Sequence, residues 1–145
     1  MAAEMAVETL VDTGAILAIL DKSDRWHQVC FATFRQLRAP LLTSEAVLTE
    51  LFHLVGKVPQ RKLAAWEFIR SGAITLATIE QSELNDLHTL MSRYSDLPMD
   101  FADATLVHLA ARESISAIFT VDQNDFAAYR INGKRRFHIV PTERP

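Results

Sequence analysis

The sequence has little of what builds special-purpose scaffolds. It holds one cysteine among 145 residues, Cys30. One chain therefore forms no disulfide framework and no cysteine-based zinc cluster, and a reducing compartment fits. Four glycines and five prolines leave little room for long structureless linkers. The apolar stretch Ala15–Leu20 is far too short to cross a bilayer. The start, Met1-Ala2-Ala3-Glu4, lacks the basic segment of a signal peptide. The expectation is a soluble cytoplasmic protein with no membrane partner. No internal repeat or low-complexity tract is visible.

Positive charge is also scarce. Fifteen Lys and Arg face eighteen Asp and Glu, a formal net charge of -3. That argues against binding nucleic acid by bulk charge alone. It leaves room for a nuclease, because a bound divalent cation offsets clustered acids. The basic residues are uneven: Arg130, Lys134, Arg135, Arg136 and Arg144 crowd the C-terminal end against Glu143 alone. What the chain does have is apolar content, 49% against 23% charged. This is a globular balance, and residues 1–145 suit one compact domain.

Short strand-like runs alternate with longer helix-like runs. Thr9-Leu10-Val11 reads as a buried strand ending at Asp12, and a helix starts at Ala15 after the turn at Gly14. Arg25 to Arg38 reads as an amphipathic helix broken by Pro40. Leu41-Leu42-Thr43 is a short strand, with Ser44 as N-cap of a helix from about Glu45 to Val55. Lys62 to Arg70 is helical, 73–77 a strand, and Ser82 to Arg93 a helix with Leu84, Leu87, Leu90 and Met91 at helical spacing. Asp100 to Ser114 is a long helix, 117–121 a strand ending at Asp122, and His138-Ile139-Val140 an edge strand before Pro141. Such alternation implies an α/β fold: a small parallel sheet of four to five strands with helices on both faces. Sites in such sheets form beyond the carboxyl ends of the strands.

The acids fall where that rule places chemistry. Asp12 and Asp122 directly follow apolar strands. Taken singly, each also fits a helix N-cap or turn aspartate. Glu50 lies mid-helix with Ala46 and Val47 one turn before it and Leu54 one turn after, on or beside the apolar stripe. A carboxylate there needs a partner, a metal or a route to solvent. Glu45 reads instead as a solvated first-turn acid. Asp100 fits an N-cap. Asp103 shares a stripe with Val107 and Ala110, and small neighbours such as Ala102 and Ala104 let that helix approach the sheet. Four inward acids offer hard oxygen ligands suited to Mg²⁺ or Mn²⁺, and one or two such ions could bridge a phosphodiester and activate water. A phosphoacceptor receiver domain also ends parallel strands on aspartates, but Pro141-Thr142-Glu143 supplies no lysine after the last strand and Glu50 would have no role.

The ordered set Val11-Asp12-Thr13-Gly14, Thr43-Ser44 with Thr49-Glu50-Leu51, Asp100-Phe101-Ala102-Asp103-Ala104 and Thr120-Val121-Asp122-Gln123-Asn124-Asp125-Phe126 resembles the PIN-domain ribonucleases. Among them it is most similar to the VapC-like toxins of toxin–antitoxin pairs. The resemblance spans nearly the whole chain, in order. It implies a metal-dependent endoribonuclease with Asp12, Glu50 and Asp103 as metal ligands. Asp122 matches the fourth acid, with Asp125 able to share or take that role. Thr120, and Thr13 beside the first acid, match positions that help order such a site. The resemblance also implies an RNA substrate, a small antitoxin partner and a homodimer. The alternative is a catalytically silent module of the same fold that binds RNA or protein. Asp24 and His27 resemble an early acid and histidine of some PIN proteins but read better as surface helix residues. His53 and His108 read as structural histidines. Trp26 and Trp66 fit helix packing as well as base stacking. Lys134-Arg135-Arg136 fits a phosphate contact or a solvated turn.

Overall fold

A computed structural model describes residues 7–145; the Met1–Glu4 start lies outside the described residues. In chain order the elements are β1 (Thr9–Val11), α1 (Thr13–Leu20), α2 (His27–Gln36), β2 (Leu41–Ser44), α3 (Glu45–Val55), α4 (Pro59–Arg70), β3 (Ile74–Ala77), a 3₁₀ turn at Gln81–Glu83, α5 (Leu84–Arg93), α6 (Phe101–Glu113), β4 (Ala117–Phe119), α7 (Gln123–Ala128), a hairpin of β5 (Arg130–Ile131) and β6 (Arg135–Arg136), and β7 (His138–Val140). Five strands form one sheet in the order β3-β2-β1-β4-β7. Every pairing is parallel, with Leu10 opposite Leu42 on one side and Ile118 on the other.

The order dictates the layers. From β1 the chain steps outward to β2 and β3; from β3 it crosses back to β4 and continues the other way to β7. Right-handed crossovers therefore put α1–α4 on one face and α5–α7 on the other. Most helix contacts follow that division, α1 meeting α2, α3 and α4 while α5 meets α6; α3 and α6 also touch, across the two layers. The connections after β1 and after β4 leave toward opposite faces, which opens a crevice at the carboxyl ends of these two central strands.

The core explains why the strands read as continuous apolar runs. Leu10, Val11, Leu41, Ile118 and Phe119 are fully buried between the helix layers. Buried Val47, Leu51 and Val55 form the inward stripe of α3 at i, i+4, i+8 spacing. Leu54, half exposed, is not part of it. Glu50 thus flanks the buried stripe instead of interrupting it. The near-continuous burial of 102–110, broken only at half-buried His108, reflects the small residues of α6.

Several boundaries differ from the sequence reading. Pro59 starts α4 instead of preceding it, because proline is tolerated at the first helical position. The segment from 82 opens as a 3₁₀ turn under a capping box in which Glu83 reaches back to the Glu80 N–H (2.7 Å). Leu84 lies exposed there. β4 ends at Phe119, two residues earlier than expected; the Thr120 N–H still donates to the Val140 carbonyl (3.0 Å), while its side chain turns to the site described next. Helix α7 and the hairpin were not anticipated.

Candidate active site

Asp12 ends β1 and caps α1. Its Oδ1 accepts from the Thr13 N–H (2.8 Å) and its Oδ2 from the Thr120 hydroxyl (3.0 Å). Thr120 Oγ1 in turn accepts from the Asp122 N–H (3.0 Å). One buried threonine therefore ties the end of β1 to the loop after β4. Gly14 allows this closeness: a Cβ there would lie 2.5 Å from Val121 Cγ2. The Thr13 hydroxyl points to the α3 side, within reach of the Val47 carbonyl (3.3 Å) and the Glu50 carboxylate.

The other half of the site hangs on α6. Asp100 caps this helix by accepting from the Asp103 N–H (2.8 Å). Asp103 is 8% exposed and its Oδ2 accepts from the Tyr129 hydroxyl (3.0 Å), itself fully buried. The Thr105 hydroxyl donates to the Ala102 carbonyl (2.6 Å), so its contact with Ser44 Oγ (2.7 Å) is a bond donated by Ser44. That pair pins α6 to the end of β2. Another buried hydroxyl, Thr43 Oγ1, donates to the Val11 carbonyl (2.8 Å) and locks β2 to β1.

The electrostatics show that these acids face one another. Burial pushes the Asp12 carboxyl up to about 7, and the charges of Asp122 and Glu50 add to it against the Thr13 and Thr120 hydrogen bonds. Burial, then Asp100, Asp12 and Asp125, push Asp103 up to about 8, with the Tyr129 bond opposing. Glu50 is raised by desolvation and then by Asp100 and Asp122, and Asp122 by desolvation and then by Asp125 and Asp100. Within this set Asp122 acts on Asp12 and Glu50, while Asp125 acts on Asp103. Asp12, Glu50, Asp100, Asp103, Asp122 and Asp125 thus lie within electrostatic reach of one another. Among the described residues, none forms an ion pair with a lysine or arginine.

The donor set is all hard oxygen, and the charge is concentrated and uncompensated. Both properties fit a divalent cation. Among the described residues no three His, Cys, Asp or Glu side chains close a coordination shell by themselves. Mg²⁺ does not need such a shell, since it usually keeps several waters and takes one or two carboxylates plus substrate phosphate.

Other flagged residues sit elsewhere. Asp24 accepts from the Trp26 N–H (2.8 Å) and His27 Nδ1 contacts the Ala18 carbonyl (2.7 Å), so both order the α1–α2 turn. Glu45 and His53 are exposed. His108 contacts Glu83 (2.8 Å), which Arg112 also binds (2.8 Å). Trp26 packs against the core, and Trp66, half exposed, stacks on Phe52 with ring centroids 4.9 Å apart. The sequence reading missed Tyr129. Its partner lies 26 residues away, and no local pattern links the two.

Unpaired carboxylates beyond the strand ends of a parallel sheet fit a hydrolytic site, and the hard oxygen donors are of the kind divalent cations take. Comparison with known proteins makes the class specific. The family model for the PIN domain matches residues 9–132. Ribonuclease VapC26 of Mycobacterium tuberculosis (strain ATCC 25618 / H37Rv) is 30% identical over 134 residues, covering 91% of this chain and 99% of that protein. The crystal structure of Mycobacterium tuberculosis VapC20, a Sarcin-Ricin loop cleaving toxin, superposes with a TM-score of 0.73 at 20% identity, covering 83% of this chain and 95% of that one. PAE2754 from Pyrobaculum aerophilum gives 0.58 at 19% identity, with 85% and 86% coverage. The chain belongs to the PIN-domain family, in its VapC-like branch. No helix among the described residues is long and apolar enough to cross a membrane.

Proposed function

We propose that this VapC-type endoribonuclease cuts RNA phosphodiester bonds through divalent cations, Mg²⁺ or Mn²⁺, gathered by Asp12, Glu50, Asp103 and Asp122, residues 1–145 acting as one nuclease domain. One observation carries the assignment. Asp12 and Asp103, from segments 91 residues apart in sequence, are both buried, the Asp12 charge pushes the Asp103 carboxyl up, and neither has a basic partner among the described residues. Isolated buried carboxylates are strongly disfavoured, so their retention at one spot fits a site completed by a cation.

When bound, such a cation supplies Lewis acidity and an activated water for attack on phosphorus. The chain's own contribution is placement. Thr13 and Thr120 hold Asp12 in one rotamer, Tyr129 holds Asp103, and the Asp100 cap fixes the start of α6. Asp122 and Asp125 stand on the open side, where Asp122 serves as the fourth ligand and Asp125 as an auxiliary acid. The toxin role, a small antitoxin partner and a homodimer follow from the VapC-like branch and are proposed on that ground.

The test is cleavage of a mixed RNA substrate by purified protein with Mg²⁺ or Mn²⁺. Asp12→Asn and Asp103→Asn are each expected to lose cleavage by at least a hundredfold while melting cooperatively. Full metal-dependent activity in both variants would rule out the assignment and favour a binding module. Growth arrest on induction, lost with Asp12→Asn, tests the toxin role.

A further inference from the structure

Beyond the acids, the molecule carries a second charge feature that the proposed chemistry leaves unused. Between Asp125 and Glu143 there is no acid, and the segment holds Arg130, Lys134, Arg135 and Arg136. The structure folds it into the β5–β6 hairpin, whose turn Asn132-Gly133 takes positive φ at both residues (55° and 70°). With Ile131 paired to Arg135, the linking loop is Asn132-Gly133-Lys134, closed by the Lys134 N–H donating to the Ile131 carbonyl (3.0 Å). Buried Ile131 anchors the hairpin against α6, and Lys134, Arg135 and Arg136 project exposed from it.

Two details mark these cations as awaiting an anion. Arg130 and Arg136 face each other directly across the ladder, a like-charge pairing that is destabilising by itself. The Arg130 guanidinium donates to the carbonyls of Ala127, Ala128 and Tyr129 at the end of α7 (2.8–3.2 Å). Arg136, like Lys134 and Arg135, has no ion pair among the described residues. Arg93 from α5 adds a further guanidinium beside the turn, 3.4 Å from where a Gly133 Cβ would stand. The hairpin is also rooted on the acid site: Tyr129, the residue before β5, is the one whose hydroxyl holds Asp103.

We propose that this hairpin is a phosphate-binding arm that grips the backbone of the RNA substrate outside the scissile linkage, through Lys134, Arg135 and Arg136. The inference rests on the nuclease reading above. A chain of net charge -3 with its acids massed at the cleavage site repels a polyanion at close range; a basic arm beside that site supplies the attraction that brings RNA in and sets its direction. Contacts of this kind position the backbone without reading sequence.

The experiment measures binding of a short fluorescent single-stranded RNA to Asp12→Asn protein, with and without K134Q/R135Q/R136Q, over a salt series. Each phosphate contact contributes about 0.7 to the slope of log affinity against log salt for single strands. The triple variant is expected to flatten that slope by about 2 and to weaken binding roughly ten- to a hundredfold at 0.1 M salt. The lysine variant R135K/R136K, which keeps the charge, should retain most of the slope. Unchanged affinity and slope in the triple variant overturn the inference. So does a loss confined to the saturated single-turnover cleavage rate in the otherwise wild-type protein, which would mark the hairpin as mere support for Tyr129. The nuclease reading fails separately, if Asp12→Asn still cleaves.

Discussion

Neutralising a ligand of the acid crevice should make the metal-free protein more stable while destroying its activity. Asp12 is 3% exposed, and its carboxyl is pushed from the usual 3.8 up to about 7. Between those two pH values the folded state keeps a proton that the unfolded chain has already released. Stability in the absence of metal therefore falls as pH rises from about 4 to about 7, and the loss is complete above that. A displacement of about three pH units corresponds to roughly 4 kcal/mol. Asp103, pushed up to about 8, carries a penalty of similar size. The two are not additive, because the Asp12 charge is itself one of the causes of the Asp103 shift.

In Asp12→Asn the amide oxygen still accepts from the Thr13 N–H, while its NH₂ now faces the Thr120 hydroxyl. That mismatch costs about 1 kcal/mol. A net gain of about 2–3 kcal/mol remains at pH 8, equivalent to a melting temperature higher by about 5–10 °C for a chain of this size. The assay is thermal unfolding in EDTA at pH 5 and at pH 8. The variant should melt well above the wild type at pH 8, and the gap should close at pH 5, where both wild-type aspartates are protonated. Adding Mn²⁺ at pH 8 should raise the wild type and leave the variant almost unmoved. A difference that ignores pH, or a variant less stable than the wild type at pH 8, would refute the electrostatic account of the site.

Tyr129→Phe removes the bond to Asp103 and leaves a buried carboxylate less satisfied; it should cost about 1–3 kcal/mol in the melt and weaken Mn²⁺ affinity measured by calorimetry. Gly14→Ala forces a methyl against Val121 Cγ2 and should cost about 1–3 kcal/mol, with most of the loss recovered by adding Val121→Ala. Thr120→Val removes both the donor to Asp12 and the acceptor for the Asp122 N–H, so cleavage should fall at least tenfold in the kinetic assay while the fold persists. Cys30 is fully buried and its thiol is pushed up to about 12 by burial, so iodoacetamide should modify it only as fast as the chain unfolds, read by mass spectrometry.

What the sequence made legible was the set of features governed by short-range pattern. An apolar run stopping at an acid marks a strand end, and alternating runs mark a parallel sheet; β1, β2, β4 and β7 were placed this way. The N-caps Ser44 and Asp100 follow the same local logic. Where the reading slipped, a second local rule competed. Pro59, three residues before the expected helix start at Lys62, fits a breaker between helices by local pattern, yet proline also starts helices. Leu54 was counted with the apolar face of α3 although the buried stripe runs through Val47, Leu51 and Val55. The Asn132-Gly133 dipeptide, a strong hairpin signal, went unused because strands of two residues carry no alternation to read. The Tyr129–Asp103 and Ser44–Thr105 bonds were beyond reach, since each joins residues that only tertiary packing makes neighbours.

The choice of partners around the acids is itself functional. A buried carboxylate can be oriented by a charged donor or by a neutral one. An arginine or lysine would hold it more strongly but would also cancel its charge and occupy the space of a metal. Here the donors are the Thr13 amide, the Thr120 hydroxyl and the Tyr129 hydroxyl, which fix Asp12 and Asp103 without neutralising them. The remaining negative charge is then available to a cation. The cost appears as destabilisation of the metal-free fold, and the cationic side chains that could relieve it are kept on the hairpin, outside the crevice. In the proposed function, separating neutral orienting groups from charged attracting ones would let a net-acidic protein hold a cation and still draw in a polyanion.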